Sequence, residues 1–226
     1  MIHIISLGGS LIVPNQNINW QYLKKFRQFI LSRVNLGDKF FLITGGGQTC
    51  RRYQQAANRV VAKISSDNLD QLGIYATHLN AYLLRTILFD VADTRIITNP
   101  KQVFKTVKSV IVSAGWKPGN STDYIAVLLA KKYKVKTVIN LSNIDHVYNQ
   151  DPKKNKEAKV IKQISWTDFR RLVGNQWQPG LNAPFDPIAS VIAHKLKLKV
   201  IVTNGHKLKN LEKYFQTGKI SGTIIN

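Results

Sequence analysis

Three glycine clusters stand where apolar runs end: Gly8-Gly9-Ser10 after Ile2 to Leu7, Gly45-Gly46-Gly47 after Lys39 to Thr44, and Gly115-Trp116-Lys117-Pro118-Gly119 after Ser109 to Ser113. Glycine lets the backbone come close to a phosphate, and successive N–H groups form a nest for an anion. One such pair is most often only a turn. Three of them at strand ends, on one edge of a sheet, point to a phosphate-bearing ligand. The segment Gly45 to Arg52 also enters a helix, whose first N–H groups and dipole favour negative charge. Arg51 falls in the first turn of that helix, placed to reach a β- or γ-phosphate, whereas Arg52 reads equally well as surface charge.

The spelling excludes two common nucleotide folds. A P-loop needs G-x-x-x-x-G-K-[ST]; the nearest stretch, Gly115 to Ser121, is too short and has Asn120 in place of the lysine. A dinucleotide fingerprint needs a third glycine at position 50, which is Cys50. Ser121, Thr122 and Asp123 open a helix, where capping alone accounts for such residues. Asp145 and Asp151 fall in a loop after a strand at 135–141, where turn roles are the plain account. His3, His78, His146, His194 and His206 lack metal-ligand spacing, and the lone Cys50 supports neither a disulfide framework nor a cysteine metal cluster, so no protein metal site is expected.

The elements that position these residues alternate. Strands are read at Ile2–Leu7, Lys39–Thr44, Arg95–Thr98, Ser109–Ser113, Val135–Leu141, Lys199–Thr203 and Ile220–Ile225, with a peripheral one at Lys159–Ile164. Helical spacing marks Asn19–Val34, Thr49–Ile64, Leu69–Phe89, Ser121–Tyr133 and Leu208–Phe215. Asp186 caps a further helix with Pro187 in its first position. Strands apolar on both faces, alternating with helices, imply a three-layer αβα sandwich around a mainly parallel sheet, with ligands beyond the carboxyl ends of the strands. The 149–159 stretch reads as a mobile loop. One domain over 1–226 is expected, in two halves meeting near 120.

At 226 residues and 44% hydrophobic composition, the chain can bury a generous core. The apolar opening lacks a basic leader and a cleavage pattern, and no apolar run reaches the ~18 to 20 residues of a membrane span, so a cytoplasmic, membrane-free protein is expected. Lysine plus arginine number 33 against 12 acidic residues, a formal charge of +21. Such a field attracts polyphosphates and nucleic acid alike. The basic residues are scattered through 131–136, 153–162 and 195–219, without an arginine block or interleaved aromatics, so they read as solvated faces and nucleic acid is not expected as a partner.

Taken in order, six blocks resemble the amino acid kinase family and, within it, the archaeal-type UMP kinases. They are Leu7-Gly8-Gly9-Ser10 with Val13-Pro14; Gly45-Gly46-Gly47 with Arg51 and Tyr53; Asp70-x-x-Gly73-Ile74; Lys117-Pro118-Gly119-x-Ser121-Thr122-Asp123; Ser142-Asn143-Ile144-Asp145-x-Val147-Tyr148 with Asp151-Pro152; and Asp186-Pro187-Ile188-Ala189. The resemblance covers almost the whole chain. It implies transfer of the ATP γ-phosphoryl group to UMP, with the acceptor in the 1–120 half and ATP in the 121–226 half. Gly9, Ser10, Arg51 and Asp123 would form the catalytic set, Asp123 by organising cationic groups. ATP would meet Gly8, Gly9, Ser10, Gly47, Arg51, Ser142, Asn143, Tyr148 and Asp151. UMP would meet Gly46, Asp70 through its ribose, Trp116, Lys117, Pro118, Gly119, Asn120, Ser121 and Thr122. Mg²⁺ would ride on the ATP phosphates, and a hexamer or dimer is implied.

This chain departs from the family pattern at two places. Ser6 stands where much of the wider family has a lysine, and His146 where it has a glycine. The stretch 174–185, with Trp177, Pro179 and Pro184, matches no motif. An isopentenyl phosphate kinase would carry a histidine just after the triple glycine, and Gln48 to Arg52 contains none. A nucleotide-binding protein without turnover is the remaining alternative.

Overall fold

The computed structural model describes residues 1–15, 17–102, 104–152, 154–174, 176 and 183–226. Trp177 and Pro179 lie outside the described residues. Strand β1 (Ile2–Leu7) pairs in parallel with β2 (Lys39–Thr44) on one side and with β5 (Thr137–Ser142) on the other. Beyond β2 lie β4 (Val110–Ser113) and β3 (Ala92–Ile97); beyond β5 lies β9 (Lys199–Asn204). The strand order is β3-β4-β2-β1-β5-β9, extended by β10 (Thr223–Ile225), antiparallel to β9, and by β8 (Gln163–Ile164). The sheet thus runs unbroken across the boundary near 120. A separate hairpin joins β6 (Val147–Tyr148) to β7 (Val160–Ile161) and brackets the 149–159 loop.

Alternation of apolar side chains builds two cores, because successive residues of a strand face opposite sides. Ile5, Leu7, Phe40, Leu42, Ile139 and Leu141 pack beneath α2 (Trp20–Asn35), α4 (Ser66–Ile87) and α8 (Leu208–Thr217). Ile4, Phe41, Ile43, Val138, Val200 and Val202 pack against α5 (Thr122–Lys132), α6 (Trp166–Val173) and α7 (Pro187–Lys195). The result is the expected three-layer αβα arrangement. Two helices are absent from the periodicity reading. The four-residue α1 (Gly9–Ile12) is too short to display a helical stripe. Helix α6 is short as well, but Ser165 caps it by accepting from Asp168 N at 3.1 Å, a signal present in the sequence. The remaining helix, α3 (Gly47–Val60), lies against α4 and opens directly from the triple glycine.

Helix α6 is anchored by Phe169, fully buried and edge-on to Trp166 with ring centroids 6.0 Å apart, while the Trp166 indole donates to the Leu198 carbonyl at 2.8 Å. Phe169→Ala should therefore cost ~3–5 kcal/mol. Urea unfolding followed by circular dichroism checks this. The midpoint falls with the slope unchanged if the pocket is as filled as described.

Candidate active site

Strands β1, β2 and β4 end at the same edge of the sheet, so the three glycine clusters leave it side by side. The first two touch through bare backbone. A Cβ on Gly9 would stand 2.0 Å from the Gly47 amide nitrogen and 2.6 Å from the Gly45 carbonyl. Gly47 has φ +63°, and a Cβ there would come within 2.3 Å of the Gly9 carbonyl oxygen. Only glycine fits this crossing. On the other flank the Gly8 amide donates to the Leu141 carbonyl at 2.8 Å, which brings the first turn against the end of β5 and Ser142. The site sits where the chain changes direction about β1, between β2 on one side and β5 on the other.

Helix α4 pins the second and third turns. Asn80 Nδ2 donates to the carbonyls of Gly45 at 2.7 Å and Gly46 at 3.3 Å. Thr77 Oγ1 accepts from the Gly115 amide at 2.8 Å and donates to the Ile74 carbonyl at 2.6 Å. About two turns earlier on the same helix, Asp70 accepts from the Gly119 amide at 2.7 Å. Motif reading does not reach Thr77 and Asn80, although both interrupt the buried stripe of Ile74, Ala81 and Leu84, and a buried polar side chain implies a hydrogen-bond partner.

These elements enclose a cavity of about 180 Å³ lined by Gly46, Gly47, Arg51, Asp70, Gly73, Asn120, Ser121 and Thr122, with Cys50 and Thr77 in its wall. Arg51 reaches it from the first turn of α3, its Nε held at 2.8 Å by Gln48. Burial pushes the Cys50 thiol up, which keeps it an unreactive wall residue. Ser121 both lines the cavity and caps α5 by accepting from Tyr124 N at 3.1 Å. Trp116 and Lys117 do not line it. The Trp116 ring packs on the core beneath α5, with the Lys117 and Lys101 ammonium groups 4.7 and 5.3 Å from its centroid. Pro118 lends only its carbonyl, to Asn120 at 3.1 Å. Asn143 is exposed beside Ser142, Tyr148 lies on β6, and the Asp151 carbonyl accepts from Lys154 and Asn155 within the hairpin loop; none of the three borders this cavity. Asp145 pairs with Lys207 at 2.8 Å.

Behind the glycine crossing lies an acidic pair, Asp186 buried and Asp123 half-buried. Asp123 accepts from the Ser6 hydroxyl at 2.8 Å and from the Asp186 amide at 3.2 Å. Asp186, 4% exposed, caps α7 by accepting from Ala189 N at 2.5 Å. Its other carboxyl oxygen is buried without a hydrogen bond among the described residues. Neither aspartate forms an ion pair among the described residues. Burial, and then the neighbouring Asp186 charge, push Asp123 up to about 7 against the opposing pull of Ser6. Burial also raises Asp186, against the amide of Ala189. Ser6, where much of the wider family has a lysine, thus presents a hydroxyl to Asp123.

With this geometry in place, comparison with known proteins defines the class. The amino acid kinase family model matches residues 1–204, and the chain belongs to that family. Uridylate kinases are among its relatives. One from Methanococcus aeolicus is 29% identical over 226 residues, covering 99% of this chain and 98% of the relative. One from Sulfurisphaera tokodaii is 32% identical, covering 88% of each chain. The crystal structure of uridylate kinase from Archaeoglobus fulgidus superposes with a TM-score of 0.78 at 29% identity, covering all of both chains.

The raised Asp123 carboxyl has a stability consequence. Its folded pKa lies above the unfolded value, so the folded state binds more protons and stability falls as pH rises from about 4 to about 7. Asp123→Asn, which retains an acceptor for Ser6, should melt higher than the parent at about pH 8, with the difference vanishing towards about pH 4. Calorimetry at both pH values checks this; an equal or lower melting point at the higher pH contradicts it.

Proposed function

We propose that this protein is an ATP-dependent UMP kinase: an oxygen of the UMP phosphate attacks the γ-phosphorus of ATP, the bond to the β,γ-bridging oxygen breaks, and UDP and ADP leave. The observation that carries this reading is the backbone contact between the Gly9 and Gly45–Gly47 turns, beside a cavity that ends on Asp70. Phosphoryl transfer asks a protein for alignment and for donors facing a spread-out negative charge, and it needs no nucleophilic side chain. Gly46 and Gly47 are assigned the meeting point of the two phosphate chains, and Arg51 the bridge to the ATP phosphates.

The cavity is smaller than the ~300 Å³ at which pockets for whole drug-sized ligands begin, which suits a site that takes only the nucleoside end of UMP. Asp70, fixed by the Gly119 amide, is assigned the ribose hydroxyls, with Asn120, Ser121 and Thr122 around the base. ATP is assigned to the opposite side, over Gly8, Ser10 and Ser142 and towards Asn143, Tyr148 and Asp151. Trp116 and Lys117 are then supports of the acceptor loop rather than direct contacts.

Among the described residues no three His, Cys, Asp or Glu side chains converge as a metal cage. Mg²⁺ carried on the ATP phosphates, as the resemblance implies, would neutralise charge on the β- and γ-oxygens. Asp123, ionised, would orient the cationic groups that gather there. No helix among the described residues is long and apolar enough to cross a membrane, in keeping with a cytoplasmic enzyme. Tyr75, Leu79 and Tyr82, exposed at 64, 63 and 59% along one stripe of α4, support self-association.

A coupled ADP-release assay with UMP, CMP, dUMP, isopentenyl phosphate and an acidic amino acid tests the reading. UMP should be the preferred acceptor. ATP and UMP binding with no ADP release would instead favour a nucleotide-binding protein that has lost turnover. Asp123→Asn should lower turnover at least ~100-fold, the scale of losing one preorganised electrostatic group. Asp70→Ala should chiefly raise the KM for UMP; an unchanged KM would remove Asp70 from the ribose.

A further inference from the structure

The edge of the sheet opposite the glycine turns carries a concentration of cations that the kinase site does not use. Strand β5 is entered through Lys134-Val135-Lys136 and β9 through Lys197-Leu198-Lys199. The two entrances are neighbours. Thr137 stands opposite Lys199 in the parallel register, and the Lys199 amide donates to the Lys136 carbonyl at 2.9 Å. All four lysines are exposed. Lys39 at the start of β2 and Lys108 just before β4 extend the row, also exposed. None of the six forms an ion pair among the described residues. The acidic groups near this edge are committed elsewhere: Asp38 to the Met1 amine, His3 and Arg33, Asp90 to Arg27, and Asp93 to Arg95.

The backbone supplies a second observation. Lys134 and Lys197 have φ of +55° and +50°, the left-handed conformation that glycine adopts at helix ends with less strain. At both α-to-β turns, therefore, a lysine stands where glycine would be more stable, beside like charges that repel it. A basic residue held at two equivalent strained positions, without an internal partner, indicates an external anion.

We propose that this lysine edge is a docking surface for the phosphate backbone of double-stranded nucleic acid, bound without regard to sequence. From β4 to β9 the edge spans four strand spacings, ~19 Å, a length over which a duplex presents ~11 phosphate charges. Tyr133, next to Lys134, packs inward and tilted against Phe41 with centroids 4.3 Å apart, so it is not presented to unpaired bases beside the paired lysines. The apolar residues between the paired lysines, Val135 and Leu198, are half-buried and buried, so this part of the edge has no side chain to insert into a bilayer. Leu36, Phe89 and Val107 are exposed on the same edge, but at the entrances to β2, β3 and β4. The surface lies across the sheet from the proposed kinase site, and the inference is independent of that site.

The test is fluorescence anisotropy of the full chain with a labelled duplex of arbitrary sequence, across a salt series. The variant K134Q/K136Q/K197Q/K199Q should weaken binding at least ~10-fold and make the slope of log affinity against log salt shallower by about 3 to 4, since each phosphate contact contributes about 0.9. The control K24Q/K25Q/K209Q/K213Q removes the same charge from exposed sites on α2 and α8 and should change affinity little. Because the strained turns relax with glycine, K134G/K197G should melt higher than the parent and still bind less tightly, which separates lost binding from lost folding. Three results overturn the proposal: no duplex binding at low salt, equal weakening by the control, or tighter binding to phosphatidylserine vesicles than to duplex.

Discussion

Two turns cross with no atom to spare between them. Strands β1 and β2 are hydrogen-bonded neighbours, so the loops leaving their carboxyl ends start about 4.8 Å apart. They separate only if one bends away, and here they do not, because Gly9 lies directly on Gly45 and Gly47. What emerges at the end of the sheet is a surface of backbone groups uncovered by side chains. Any substitution with a Cβ at Gly9 or Gly47 pushes the two strands' exits apart and opens the surface. The same contact explains why α4 is so polar beneath its apolar stripe. Bare backbone loops have no side chains to anchor them, and Asn80 and Thr77 supply the anchors from below.

The acidic pair behind this crossing follows a different logic. A carboxylate removed from water without a cation is unfavourable, and two side by side are more so. The fold nevertheless places Asp123 and Asp186 there, at the starts of α5 and α7. The helix ends and the Ser6 hydroxyl offset part of the cost, and the remainder is visible in the raised Asp123 carboxyl. Stability given up at one point and held rigid by packing is the pattern expected of a group kept for chemistry rather than for folding.

Much of this was legible in the sequence, and the misses share a cause. The six parallel strands and their covering helices announce themselves because burial on both faces leaves short continuous apolar runs, and burial of one helix stripe imposes a period. The glycine turns were legible because glycine is the residue least easily explained by packing. Asn80, Thr77 and the pairing of Ser6 with Asp123 were not, since each joins residues 33 to 117 positions apart and is defined by a partner rather than by its neighbours in the chain. Asp186 was legible as a helix cap, and it is one; that it also confronts Asp123 depends on how α5 and α7 pack. Trp116 and Lys117 stand outside the cavity for the same reason: which side of a loop faces it is decided by the core on which Trp116 rests.

Topology also explains how a charge that looks diffuse along the chain becomes local in space. In a parallel sheet every β-to-α turn falls on one edge and every α-to-β turn on the other. Residues from 39 to 199 that share nothing in sequence are thereby sorted into two rows by direction alone. The glycine turns fall in one row and the Lys134, Lys136, Lys197 and Lys199 pairs in the other. Spacing along the chain is therefore the wrong measure of whether basic residues act together in an α/β protein. The relevant measure is which end of a strand each one precedes. By that measure the two ends of this sheet differ in kind: bare backbone at glycine turns stands at one, and ammonium groups without ion pairs among the described residues at the other.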